Sequence, residues 1–410
     1  MKIIEDYLRK DLGKPKLKDW EAIRRAYVER AAELVKGDYQ SPSYLSSMFP
    51  LAGRREGEII GNINDYTRDQ HDLSLAYEKK FAREYLPGQI IVPLEPYVTS
   101  SGMAALATII MLLHRKHGSD HLIMVGKHSY FQNLEALSSS FANVIIFDEN
   151  NNDEWENLIK SKQPLAVFVD SMCNEGELTT PPVLSIAKFM RINLISEGYL
   201  ILDNSMISIK FPFDKLLRNK SSRLNIVVWE SLNKYYQFGM DRTTGGIVWG
   251  NFKLSMSMLQ ARYHAGTIMS DIQVAMLPTP NKKIMNSYLE RIEENAAMMQ
   301  TIIDLRVSRE RVRMVRRAKS KYGFNGAQIV IEFVSKLSYN QIQKVIQKAV
   351  DSARKKKLQL VAGTSFGMPN TRIYLTARQS GFAKMFLRIS VGMEEKNEIE
   401  KLAEVIASIL

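Results

Sequence analysis

Lys234 stands at the end of a short polar turn, Glu230-Ser231-Leu232-Asn233-Lys234. The turn follows a β-prone run, Asn225-Ile226-Val227-Val228-Trp229, and precedes Gly245-Gly246 and a second apolar run, Ile247-Val248-Trp249. About thirty residues upstream, the strand-like Tyr199-Leu200-Ile201-Leu202 ends in Asp203-Asn204. An amine and a carboxylate at neighbouring strand ends suit one kind of chemistry. The amine forms a Schiff base, and the acid faces a ring nitrogen, as a pyridoxal phosphate site requires. A strand-end lysine is more often solvated, so other segments must decide.

A second segment supplies a place for phosphate. Thr99-Ser100-Ser101-Gly102-Met103-Ala104-Ala105 puts small residues at the start of an apolar helix. The first N–H groups of a helix have no internal partner and attract anions. The same residues also suit a serine-capped, closely packed helix with no ligand. No Gly-Lys-Ser/Thr follows, so the run is not a Walker loop.

Taken in order, Ser101-Gly102-Met103-Ala104-Ala105, Asp203-Asn204 and Ser231-Leu232-Asn233-Lys234 resemble the Cys/Met-metabolism family of pyridoxal-phosphate enzymes. That family includes cystathionine synthases and lyases, methionine γ-lyase and homoserine sulfhydrylases. The resemblance runs from about Tyr66 to the C-terminus. Tyr66-Thr67-Arg68 looks like the family's Tyr-x-Arg, which reaches the cofactor phosphate of the neighbouring subunit. Tyr130 falls where the family has the tyrosine that stacks on the cofactor ring. Asp170-Ser171-Met172-Cys173-Asn174 is similar to the segment whose Asn contacts the ring oxygen, here Asn174. Arg388-Ile389-Ser390-Val391-Gly392-Met393-Glu394 is close to Arg-Leu-Ser-Val-Gly-Leu-Glu, whose arginine grips the substrate carboxylate.

The resemblance implies a role for each residue. Asp203 would keep the pyridine nitrogen protonated. Lys234 would carry the cofactor and then move protons as the freed amine. Ser101, Gly102, Met103, Ser231 and Asn233 would surround the phosphate, with Tyr66 and Arg68 completing it from a partner chain. Tyr130, Lys234 and Asp203 would act in catalysis. Arg388 would offer a planar fork to a carboxylate, with a further contact from Ser365. A homodimer is then the minimal active unit, and tetramers are common in the family.

The chain also departs from the pattern. Asp69-Gln70-His71-Asp72 replaces the Asn-Pro-Thr that usually follows Tyr-x-Arg. Phe131-Gln132-Asn133 replaces Gly-Gly/Cys-Thr, Asn233 replaces threonine, and Gly239-Met240-Asp241 replaces Gly-His-Ser-Asp. The substrate-side loops have changed more than the cofactor contacts. The missing Cys after Tyr130-Phe131 argues against an ordinary methionine γ-lyase and for a specialised substrate, as in secondary metabolism.

Rival chemistries fail on mechanical grounds. Gly363-Thr364-Ser365-Phe366-Gly367 matches a nucleophile elbow, but Pro369-Asn370 blocks the helix it needs. The last histidine, His264, precedes the serine, which excludes that hydrolase order. His114 and His117 share a helical face, but Gly118-Ser119-Asp120 ends the helix before His121, so no metal is expected there. With the single Cys173, a disulfide within the chain and a cysteine-based zinc site are excluded.

The positioning elements follow from periodicity. Asp19 to Lys36 reads as an amphipathic helix, and Gly37 to Asp65 as an irregular segment. A helix over Gly102–Lys116 then alternates with apolar runs, Leu122–Val125, Val144–Phe147 and Leu165–Val169. Such runs predict a mostly parallel sheet buried on both faces. Past about residue 280 the pattern changes to a long helix, Lys283–Leu305, the alternating strand Gln328–Phe333, and an amphipathic helix through Ile342, Val345, Ile346 and Ala349. Strand Phe386–Ser390 and a helix over Glu394–Leu410 close the chain. The 410 residues carry 45% hydrophobic and 24% charged side chains and no membrane-length apolar run, the profile of a soluble protein. A signal peptide is not evident, so a cytoplasmic setting is expected. Net charge is +12, and the basic residues concentrate between Arg306 and Lys321. Without interleaved aromatics that stretch reads as a solvated edge, and nucleic acid is not the expected partner.

The expected fold is α/β, a fold-type-I transferase with a seven-stranded sheet implied by the family and a smaller C-terminal α+β part. The expected divisions are 1–65 (helix and extended segment at subunit contacts), 66–282 (cofactor-binding) and 283–410. The expected activity is γ- or β-elimination or replacement on an α-amino acid such as an O-activated homoserine, cystathionine or a sulfonium amino acid. Two alternatives stay open: an aminotransferase, or a non-catalytic relative that binds RNA or a partner through Arg306–Lys321.

Overall fold

The computed structural model describes residues 1–38, 72–87, 94–218, 223–376 and 386–410. A seven-stranded sheet forms the centre. Its strands are β1 (Tyr97–Thr99), β2 (Leu122–Gly126), β3 (Asn143–Phe147), β4 (Ala166–Asp170), β5 (Gly198–Asp203), β6 (Leu224–Ser231) and β7 (Gly246–Gly250). The order is β1-β7-β6-β5-β4-β2-β3. Strands β2 to β6 run parallel, whereas β7 is antiparallel to both its neighbours. Apolar side chains cover both faces in two clusters, one around Met124, Val167 and Leu200, the other around Ile123, Phe168 and Val227.

Strand β3 departs from expectation. It occupies the end of the sheet order, and of the expected buried run Ile146 is exposed and Val144 and Ile145 are only half-buried. An apolar run cannot by itself say whether a strand lies inside a sheet or at its edge.

The N-terminal helix Lys2–Asp11 was not anticipated. It buries Ile4 and Leu8, each contributing about 1.5–3 kcal/mol of apolar transfer. Its Asp11 accepts hydrogen bonds from the Tyr27 hydroxyl and from Thr279 (backbone N–H and Oγ1). The next helix, Trp20–Asp38, matches the expected amphipathic segment, and Arg24 donates from it to the Met240 carbonyl.

Helix Lys282–Arg306 leads to a second sheet. Its strands are β8 (Val312–Arg317), β9 (Gln328–Phe333), β10 (Val361–Ala362), β11 (Arg372–Thr376) and β12 (Phe386–Ser390), in the order β10-β11-β12-β9-β8. Leu387 and Ile389 of β12 pack with Ile329, Ile331 and helices Tyr339–Lys355 and Lys396–Ile409. Side chains alternate along a strand, so Arg388 points the other way, toward the first sheet.

The basic stretch resolves as ion pairs. Arg306 meets Glu404 (3.0 Å), Arg309 meets Asp304 (3.1 Å), and Arg313 and Arg316 share Glu332 (3.2 and 2.5 Å). Arg317 lies 3.7 Å from Glu293. Among the described residues, no helix is long and apolar enough to cross a membrane.

Candidate active site

The parallel strands deliver polar residues at their carboxyl ends, where open α/β sheets form their ligand crevices. Asp170 ends β4, Asp203 ends β5 and Ser231 ends β6, and the register sets Asp170 beside Asp203 and Asp203 beside Trp229. The turn after β6 then raises Lys234. Asn233 fixes this turn by accepting the Gly245 N–H at 2.8 Å, while Leu232 N–H donates to the Gly245 carbonyl.

A cavity of about 540 Å³ opens above these ends. Ser101, Gly102, Met103, Tyr130, Asn174, Asp203, Ser231, Asn233, Lys234, Ser365 and Arg388 all line it. The chain thus brings together residues spread over nearly 290 positions of sequence, from the first sheet and the second. Tyr66 and Arg68 lie outside the described residues.

Each group has a definite setting. The Lys234 Nζ donates to Ser365 Oγ at 3.0 Å and lies 5.1 Å from the Phe366 ring centre. Burial, reinforced by the Arg388 charge, lowers its pKa to about 8. A buried ammonium loses hydration and favours the neutral amine. Asp203 accepts from the Ser205 N–H (3.0 Å) and from Asn133 Nδ2 (3.2 Å). Burial raises its pKa, against the pull of those donors and of Lys234. Asp170 is likewise raised, by burial and by the Asp203 charge, so the two carboxylates titrate as a coupled pair.

Arg388 is fully enclosed, and burial lowers its pKa to about 10. Its Nη1 donates to Asn174 Oδ1 at 3.1 Å, and its Nε has no hydrogen-bond partner among the described residues. Among the described residues no carboxylate lies within ion-pair distance of it. A buried guanidinium in that state is set to receive an anion.

Ser365 adopts a left-handed backbone, φ +77°, in the loop between β10 and β11. A non-glycine residue rarely accepts this conformation, and such strain concentrates at functional sites. The following Gly367 is a close approach: a Cβ there would lie 2.8 Å from the Lys234 carbonyl carbon. Strand β11 follows this loop with no helix between, as the sequence argument against a nucleophile elbow required.

The N-terminus of helix Gly102–His117 faces the same cavity. Ser101 caps it, its side chain accepting the Ala104 N–H at 3.0 Å. A Cβ on Gly102 would sit 3.0 Å from the Ser231 Cβ, so the helix start and the β6 end are in close contact.

Sequence reasoning missed several neighbours. Asp170 repeats the signal that identified Asp203, an acid ending an apolar strand. Asn133, Ser205, His128 and Tyr374 carried no signal, because their relation to the cavity depends on packing between elements.

A sequence model of Cys/Met metabolism PLP-dependent enzymes matches residues 29–404. One curated relative, the bifunctional enzyme flvA of Aspergillus flavus, is 23% identical over 325 residues, 75% of this chain. The aligned region spans 38% of that relative's length. Among solved structures, cystathionine gamma synthase from Xanthomonas oryzae pv. oryzae, in complex with cystathionine, superposes with a TM-score of 0.68 at 17% identity. That likeness covers 94% of this chain and 98% of the other. Cystathionine gamma-lyase from Lactobacillus plantarum, complexed with L-serine, gives 0.67 at 17% identity, covering 93% and 98%. The methionine gamma lyase CalE6 from Micromonospora echinospora gives 0.65 at 16% identity, covering 90% and 92%. At these identities the structures establish a shared fold.

Proposed function

Because the chain belongs to the Cys/Met-metabolism family of PLP-dependent enzymes, we propose that it catalyses γ- or β-elimination or replacement on an α-amino acid with an activated side chain. The substrate classes are O-activated homoserines, cystathionine-like thioethers and sulfonium amino acids. The observation that carries the reading is the meeting of a half-buried amine, a half-buried acid and an enclosed guanidinium in one cavity: Lys234, Asp203 and Arg388.

The residues present fit pyridoxal phosphate. The capped helix start at Ser101, Gly102 and Met103 offers N–H groups to a phosphate, and a Cβ at Gly102 would close that approach against Ser231. Asp203 would face the ring nitrogen, Asn174 the ring oxygen and Tyr130 the ring face. When bound, the cofactor supplies an electron sink that stabilises the negative charge left at Cα.

The chain's own groups then have these tasks. Lys234, its pKa lowered to about 8, supplies far more neutral amine near neutral pH than a solvated lysine and would carry protons between substrate carbons. Ser365 holds that amine through its hydroxyl. Arg388 fixes the substrate carboxylate, and Asn174 holds the guanidinium in orientation. Asp170, beside Asp203 on the neighbouring strand, shares in the titration of that acid.

The deciding experiment is the visible spectrum of wild type and Lys234→Ala with pyridoxal phosphate, before and after borohydride. A band that borohydride removes irreversibly from wild type, and that the variant never forms, supports the reading. A wild-type chain that cannot be reconstituted sinks it. Tyr66 and Arg68 would reach the cavity of a second copy. Mixing Lys234→Ala with Arg68→Ala chains should then restore part of the activity each lacks, and no recovery counts against that exchange.

A further inference from the structure

Strands β4, β2 and β3 are neighbours in that order, and each ends in a loop that carries one unusual side chain. His128 follows β2, Glu149 follows β3 and Cys173 follows β4. Their donor atoms all lie within 4.8 Å of one another. Cys173 Sγ is 3.1 Å and His128 Nδ1 is 3.3 Å from Glu149 Oε1. Glu149 is 1% exposed and Cys173 is 0% exposed.

The cluster is incompletely satisfied. Glu149 Oε2 and His128 Nδ1 are buried with no hydrogen-bond partner among the described residues. A buried carboxylate oxygen without a partner is costly. A second carboxylate, Glu175, lies 3.9 Å from His128 Nε2. The adjacent cation, Lys127, is spent on Asp148 at 2.6 Å.

We propose that His128, Glu149 and Cys173 form a binding site for a divalent cation of the zinc type. A mixed nitrogen, oxygen and sulfur donor set suits zinc and excludes magnesium or calcium, which take oxygen ligands. Glu175, facing Nε2, favours the tautomer with its proton there and leaves Nδ1 for the cation. A carboxylate behind a ligating histidine is the usual outer-sphere arrangement. On coordination the Cys173 thiol gives up its proton to solvent, and the cation occupies the position of the Sγ–H···Oε1 hydrogen bond. Of the three ligands, His128 also lines the cavity above the strand ends.

Cysteine counting excluded such a site because it considers several thiols together; one thiol with a histidine and a carboxylate escapes that test. The role of the cation is positioning. Asn174 N–H donates to the His128 carbonyl at 3.3 Å, and Asn174 Oδ1 holds Arg388. A cation would tie the loop after β2 to the loop after β4 and so brace Asn174. This inference is independent of the cofactor reading.

The test is equilibrium dialysis of the full chain with its cofactor, stripped by chelator and then exposed to buffered zinc, with metal counted by atomic emission. The expected result is one zinc per chain, with melting temperature raised by zinc. Cys173→Ser and His128→Gln should each weaken zinc binding by more than about tenfold, the loss that even outer-sphere changes cause. His117→Gln, a histidine outside the cluster, should leave it unchanged. No stoichiometric zinc at micromolar free metal, or equal retention by both ligand variants, would overturn the proposal. If Cys173→Ser fails to fold by circular dichroism, the partly accessible His128→Gln decides.

Discussion

The two walls of the cavity are built by different rules. The wall from the first sheet uses strand ends: Asp170, Asp203 and Ser231 each stop a parallel strand, and Lys234 stands on the next turn. The wall from the second sheet uses a strand interior and a strained loop: Arg388 sits mid-strand opposite Tyr374, and Ser365 sits at φ +77°. Strand ends are places where polar groups cost little. A guanidinium in the middle of a buried strand is expensive unless something anionic meets it. On the proposed function, the first wall would hold the fixed cofactor, and the second would keep its desolvation cost for the substrate that changes.

The largest test of this contrast is Lys234→Ala. It should lower turnover by about 10³-fold or more, the range for losing a positioned proton carrier. Activity within tenfold of wild type would break the assignment of the first wall. Next comes Arg388→Lys, which should raise KM far more than it lowers kcat, costing about 2–4 kcal/mol in kcat/KM. An equal fall in kcat with unchanged KM would mean the second wall does not hold the ground-state substrate. Gly102→Ala should follow, weakening cofactor phosphate binding by about tenfold through the contact with Ser231, read by titration of the cofactor-free chain.

A pH experiment sharpens the comparison within the first wall. Lys234 has a folded pKa lowered to about 8 from 10.5. Between those values the unfolded chain binds the extra proton, so stability of the cofactor-free chain should rise with pH across that window. Below pH 8 the buried ammonium is a constant penalty of a few kcal/mol at most. Lys234→Met should remove that rise and raise the melting temperature at pH 7. A rise that persists in the variant assigns the effect elsewhere. The smallest effect belongs to the edge. Arg313→Gln should change stability by less than about 0.5 kcal/mol, because its pairing with Glu332 is solvent-exposed. A large loss there would show that the basic stretch does more than balance charge.

Much of the first wall was legible in the order of residues. An apolar run followed by Asp203, or by Ser231 and Lys234, marks a strand end and its cargo without reference to any other part of the chain. The helix start at Ser101-Gly102 was legible for the same reason, since caps and small residues act locally. Arg388 was visible through its surrounding segment, but its lack of a carboxylate partner among the described residues was not. The edge position of β3 and the helix at Lys2–Asp11 escaped because burial depends on what the rest of the chain packs against them.

The sequence by itself determined the alternation of helix and strand, the family pattern and the identity of the groups at strand ends. These follow from short-range rules of periodicity, capping and side-chain chemistry. The tertiary structure alone decided which ends are neighbours. It set Asp170 beside Asp203, put Ser365 within hydrogen-bond reach of Lys234 across 131 positions, and gathered His128, Glu149 and Cys173 from three loops. Strand order and sheet twist are settled by the packing of the whole core, and no local pattern records them.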